Sequence, residues 1–219
     1  MSPVRTAFRF LARSRHAPAF HPTGTLYDGE AVIDGTGPLP AGTWPALIRF
    51  SKGIGTPAGL PDFIGIAVRL DHPDGPVDVL CTSALGTTGW RRFALFPSPT
   101  WGDASLSSLM TLERAGERVT VGVELADPRL VSADPDAFAD VLPVRLALSV
   151  VDSTGTARQR GDLTVTSVSG RSEDEAAFDP DLHAPTGWSL GPRWLARIRE
   201  AAYVGSRRGR HAHDATVQR

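Results

Sequence analysis

His21 stands in "PAFHPTGTLYDGEAVID" (residues 18–34), between Phe20 and Pro22 and just ahead of a stretch that reads as a strand. An imidazole in that place can move protons near neutral pH as a general acid or base, or it can be an ordinary loop residue. A second candidate group lies near the C-terminus. In "RIREAAYVGSRRGR", Arg199 precedes Tyr203 by four residues, and Arg207 and Arg210 follow it. Residues four apart share a helix face, so guanidinium groups there can lie against the phenol and favour its ionised form. Taken alone, Tyr203 reads as an ordinary aromatic on the buried face of a helix.

Other patterns carry less. "KGIGTPAG" (52–59) lacks phosphate-loop spacing and leads into a strand. "ADPDAFAD" and "SEDEAAFDPD" are acidic without calcium-loop spacing. His211 and His213 form an H-x-H in a tail, and no G-x-S-x-G elbow or paired metal-carboxylate set occurs. The single cysteine, Cys81, excludes an internal disulfide, sits in an apolar run and reads as a small buried residue.

Composition narrows the class further. The 219 residues carry 23 basic and 24 acidic side chains, a net charge of −1, which argues against a nucleic-acid partner. No apolar run reaches membrane-spanning length, and the basic N-terminus lacks a signal-peptide apolar region. The expectation is a cytoplasmic protein with no membrane partner.

The elements that must position these residues follow from alternation and turns. A helical arm is expected over 1–17, with Val4, Phe8, Leu11 and Ala12 at helical spacing. Strands are expected over 24–34, 45–51, 63–70, 76–83, 118–125, 143–152 and 158–169, with turn-rich links such as "DHPDG" (71–75). A helical insert is expected within 84–112 and onward, its helix running from about Ser105 to Arg114. A short helix is expected within 126–142, near Asp134 and Asp136. Residues 171–190 read as loop, 191–210 as a long helix with Pro192 near its start and a basic last turn, and 211–219 as a flexible tail. One domain results, with the barrel and its insert over 18–170. Its many short strands would leave exposed edges unless the sheet closed into an antiparallel barrel.

The order of these motifs resembles the haem-dependent catalase family. That family runs H-x-x-G…G, then R-F-S, then D-x-x-G-F-A-V-K-F, then D-G-x-x-D-L-V-x-N-N. Here the series is His21, Gly24 and Gly29, then Arg49–Phe50–Ser51, then the ungapped "DFIGIAVRLDHPDGPVDVLCTS" (62–83), then "LFPS" (95–98). The spacing of Arg199 and Tyr203 is similar to the family's R-x-x-x-Y helix. Phe178, Pro180, Gly187 and Ala202 echo the short catalase-related haem proteins.

The resemblance implies an α+β fold on an eight-stranded antiparallel barrel, binding one haem b. It implies Tyr203 as the iron's tyrosinate ligand, backed by Arg199 and Arg207. It implies His21 as distal acid/base, oriented by Ser51, with Ser83 in the place of a distal Asn. Arg49 and Arg210 would pair with haem propionates, and Phe20 would pack on the ring. Pro18 and Thr23 stand where the family has an arginine and a lysine-like residue. The sequence also lacks the family's wrapping segment and C-terminal helical domain. A wider pocket follows, with peroxidase-like use of hydrogen peroxide or organic hydroperoxides and a monomer or homodimer. The alternatives are a barrel that holds haem or an apolar ligand without turnover, a hydroperoxide-rearranging enzyme, and a haem-less structural remnant.

Overall fold

The computed structural model describes residues 23–191 apart from 58, 87–88, 126, 128, 131 and 173–175. The expected N-terminal arm, the 191–210 helix beyond its first residue and the tail lie outside the described residues. The chain forms ten strands: β1 (Thr23–Ile33), β2 (Gly42–Lys52), β3 (Ile64–Leu70), β4 (Val77–Ser83), β5 (Ser105–Ser107), β6 (Thr111–Arg114), β7 (Glu117–Glu124), β8 (Val144–Asp152), β9 (Ala157–Val168) and β10 (Ser189–Gly191). All pairings are antiparallel. Running β1-β2-β3-β4-β5-β7-β8-β9 and back to β1, they close an eight-stranded barrel, with β6 and β10 added as a flap on β7. Closure removes the sheet edges that an open sheet would expose.

The helix expected from Ser105 to Arg114 is corrected to two strands, β5 and β6. Leu106 faces Ser83 on β4 and Val123 on β7, and it is fully buried. The edges of β4 and β7 need this bridging strand to close the ring, and that demand outweighs local helical spacing. Ala115 and Gly116 then take positive φ (49° and 86°) in a two-residue loop that turns β6 into β7. The short helix expected before β8 is a single 3-10 turn, Pro135–Phe138.

The barrel interior is filled. Ile48, Phe50, Ile64, Val68, Val121, Leu146 and Leu163 are buried with Tyr27, Trp101 and Phe138. Phe50 stacks on Phe138 at 3.6 Å, while Tyr27 and Trp101 meet them edge-on. Each such side chain contributes roughly 1.5–3 kcal/mol through burial. At one barrel mouth Lys52, only 2% exposed, pairs with Asp134 and donates to the Thr56 carbonyl at 3.0 Å. Trp101 Nε1 donates to the Asp134 carbonyl and Tyr27 Oη to that of Pro135, so the 3-10 turn is pinned across this mouth. Burial, with Asp136 nearby, pushes the Tyr27 phenol up to about 12. An interior packed this way holds side chains rather than a ligand, as in other small barrels.

Candidate functional site

With the interior taken, the outer face of β1–β4 is where these strands can present chemistry. The strand registers set three rows across that face. Gly24, Ser51, Gly65 and Thr82 form the first; Leu26, Arg49, Ala67 and Leu80 the second; Asp28, Leu47, Arg69 and Asp78 the third. The first row is nearly without side chains. Ser51 is buried and donates to the Gly65 carbonyl at 3.2 Å. A Cβ added at Gly24 would lie 2.6 Å from Arg49 Cζ and 2.8 Å from the Phe50 carbonyl oxygen, so the Arg49 guanidinium occupies the space a larger residue would need. The result is a flat shelf of small residues, flanked by leucines and topped by one cation.

The third row carries an ionic clamp. Asp78 has no exposed side-chain surface and receives Arg69 in a bidentate pair, both contacts at 2.7 Å. His183 Nδ1 lies 2.8 Å from the same carboxylate, and the Asp179 backbone N–H donates to it at 2.7 Å. Arg69 also donates to the Ala177 carbonyl and lies over the Phe178 ring. Donation to Asp78 holds the Arg69 guanidinium above its ordinary pKa. Ala176 and Phe178 bury Leu26 and Leu47 beneath them. Segment 176–183 is thereby fixed along one margin of the shelf. Arg69 and Asp78 face each other across the hairpin that "DHPDG" turns, which is a signal for their pairing; nothing local in the sequence marks His183 as their partner.

A further carboxylate shapes the loops beside the first row. Asp62, fully buried, accepts from the Ile54 and Thr56 backbones at 2.9 and 2.8 Å and from the Thr56 hydroxyl at 3.0 Å. Burial raises its pKa, and these hydrogen bonds outweigh it, leaving the group below the ordinary carboxylate range.

No protein-family model matches the chain. Over 67 residues it is 45% identical to a catalase-related peroxidase of Mycolicibacterium paratuberculosis, a stretch covering 26% of this chain and 21% of that protein. Its fold matches catalase A of Saccharomyces cerevisiae with a TM-score of 0.59 at 12% identity, covering 89% of this chain and 62% of the other. A fungal catalase matches with a TM-score of 0.58 at 14% identity, covering 87% and 59%. The fold is catalase-like. The chain spans about three-fifths of the two catalases and a fifth of the curated relative.

On this fold the expected site residues separate into three groups. Arg49 and Ser51 stand together on the shelf. Ser83 does not join them. It faces the fully buried Leu106 across β4–β5 and shares its side of β4 with Val79 and Cys81, in the barrel interior, where its hydroxyl accepts from the Ile64 N–H at 3.2 Å. The residue on the Ser51 face is Thr82, whose hydroxyl donates to the Ile64 carbonyl at 3.3 Å. The motif's two final asparagines align with Thr82 and Ser83, and alternation along β4 selects Thr82 for this face. Phe20, His21, Arg199, Tyr203, Arg207 and Arg210 lie outside the described residues. Among the described residues no group of three or more His, Cys, Asp or Glu could hold a metal ion, and no helix is long and apolar enough to cross a membrane.

Proposed function

We propose that this chain is a haem-dependent peroxidase that reduces hydrogen peroxide or organic hydroperoxides. The observation that carries the reading is the shelf: Gly24, Ser51 and Gly65 leave a flat row of small residues, and the Arg49 guanidinium lies beside it. A planar, largely apolar group with acidic edges fits such a surface. The likeness in fold to catalases, and the match to a catalase-related peroxidase, support placing it there.

In this reading Tyr203 would ligate the iron, with Arg199 and Arg207 keeping the phenol oxygen charged. Arg49 and Arg210 hold the propionates, and Phe20 packs on the ring. Haem, when bound, supplies the redox chemistry of peroxide cleavage. His21 would take a proton from one peroxide oxygen and return it to the other. Ser51 lies on the first row, at the end of the shelf where β1 begins, and orients the imidazole. Thr82, on the same row, takes the distal polar position proposed by sequence for Ser83.

The test is an absorbance spectrum of protein produced with a haem precursor. A Soret band with high-spin ferric tyrosinate features is expected, and Tyr203→Phe should lose or shift it. His21→Ala should keep the band and lose peroxide turnover by roughly 10²–10⁴-fold, the usual worth of a positioned acid/base. A colourless protein overturns the haem reading, and unchanged turnover in His21→Ala overturns the distal assignment.

A further inference from the structure

At the barrel mouth opposite the first row of the shelf, three segments meet around a cleft of about 310 Å³. They are the β1–β2 loop with Thr36, Gly37 and Pro38, the β6–β7 hairpin with Arg114 and Glu117, and the start of β9 with Arg158. Trp188, just ahead of β10, completes the lining. The walls are braced. The Gln159 side chain accepts from the Leu39 N–H at 3.1 Å and donates to the Asp34 and Leu39 carbonyls at 3.1 and 2.8 Å, which fixes the first loop. Arg114 and Glu117 are cross-strand neighbours in the hairpin. The Arg114 guanidinium lies over the Trp188 ring at 4.5 Å, and Trp188 is buried, its backbone N–H bonded to the Pro185 carbonyl. Such stacking fixes the plane of a guanidinium and leaves its N–H edge open.

The charges around the cleft differ in how far they are already satisfied. Asp152 is spent on Arg158 and its own turn: Oδ2 takes Arg158 Nε at 2.9 Å and Nη2 at 2.7 Å, and Oδ1 takes the Thr154 and Thr156 N–H groups at 2.9 and 3.0 Å. Asp34 accepts from the Arg160 N–H at 2.8 Å, and Glu113 takes Arg118 at 2.7 Å. Arg114 and Glu117 are less committed. They lie 3.9 Å apart, beyond hydrogen-bond reach, and neither makes a side-chain hydrogen bond among the described residues. Both are half-exposed, so their mutual ion pair is worth little and gives way to a ligand cheaply. Arg114 and Arg158 bring two positive charges to the lining, and Glu117 with the spent Asp152 brings two negative ones. A polyanion is repelled by Glu117. A molecule with opposite charges of its own, close together, meets both uncommitted groups at once.

We propose that this cleft binds a free α-amino acid, its carboxylate on Arg114 and Arg158 and its ammonium on Glu117. The two charged groups of such a ligand sit on one carbon, which suits an arginine and a glutamate only 3.9 Å apart. A guanidinium edge fits a carboxylate in bidentate fashion. The volume lies at the small end of ligand pockets, in keeping with a molecule of this size.

The test is titration of the full chain with L-alanine, followed by amide and indole NMR signals, with acetate and ethylamine as the two halves of the ligand. L-Alanine should shift the Gly37 amide and Trp188 indole signals saturably, and neither half should match it at equal concentration. Arg114→Gln should weaken L-alanine binding about tenfold, through loss of a charge-assisted hydrogen bond. Glu117→Gln should weaken L-alanine about fivefold yet strengthen acetate, because a repelling carboxylate is removed. The control, Arg145→Gln, removes an exposed arginine of β8 outside the cleft and should bind as the parent does. Far-UV circular dichroism checks that each variant folds. No saturable shift, equal binding of acetate and L-alanine, or binding unchanged by Arg114→Gln or Glu117→Gln would each overturn the proposal. The readout needs no haem and no turnover, so it stands apart from the peroxidase reading.

Discussion

At the scale of single residues, burial and hydrogen bonding set the reactivity that can be measured first. Cys81 sits in the barrel wall, 5% exposed, with burial pushing its thiol up to about 12. A thiol this reluctant to ionise is a poor nucleophile. Ellman's reagent at pH 8 should therefore leave native protein unlabelled and titrate one thiol after unfolding; prompt native labelling would mean the barrel opens around β4. Asp62 gives a pH prediction with a definite sign. Its hydrogen bonds hold it below the ordinary range, so its contribution to stability is full above about pH 4 and is lost as pH falls through its folded value. Asp62→Asn should lower the thermal midpoint at neutral pH and flatten its dependence on pH below about 4. Parallel parent and variant curves through the acid range would show that Asp62 does not control the 53–61 loop electrostatically.

Elements respond to substitution through register. Gly29 lies at the irregularity where β1 shifts against β9, and a Cβ there would fall 2.2 Å from the Thr164 carbonyl oxygen and 2.8 Å from Ile48 Cδ1. The Thr164 oxygen belongs to backbone in a closed ring and cannot step aside. Gly29→Ala should cost roughly 1–3 kcal/mol or more in urea unfolding, the scale of overpacking in a filled core. A neutral result would mean that β9 slides past β1. The same strands explain what the sequence made legible. The seven long strands are apolar-rich runs bounded by Gly, Pro and Asp turns, so their spans follow from pattern. β5 and β6 are only three and four residues long, too short for alternation to register, and their existence depends on the edges of β4 and β7. Arg49 and Ser51 were legible as one face because they are two apart on one strand. Ser83 was assigned to that face because a motif records order along the chain, whereas the side of a strand depends on parity, and a one-residue difference reverses it. His183 was not legible at all, since its partners are about a hundred residues away.

For the whole molecule, the question is what holds the chain beyond β9 to the barrel. β10 pairs with β6 over only three residues, and the clamp of Arg69, Asp78 and His183 is the more substantial attachment. In the proposed function this attachment matters, because the chain that leaves β10 carries Tyr203. Two roles can be separated: stability of the barrel and retention of the segment. Asp78→Asn strands the Arg69 guanidinium, which is only 14% exposed, without its counter-charge, and removing one partner of a buried pair typically costs about 3–5 kcal/mol. That loss alone would not prove a tether. Arg69→Leu combined with Asp78→Leu removes both charges together, and such replacements are often neutral or stabilising. The double variant should unfold in urea within about 1–2 kcal/mol of the parent. It nevertheless loses the Arg69 donation to Ala177 and the Asp78 acceptance from Asp179 and His183. Limited proteolysis should then cut within 170–187 faster in both variants than in the parent, while the barrel core stays intact. If the double variant resists protease as the parent does, the segment is held by Ala176 and Phe178 on Leu26 and Leu47, and the clamp serves the barrel alone.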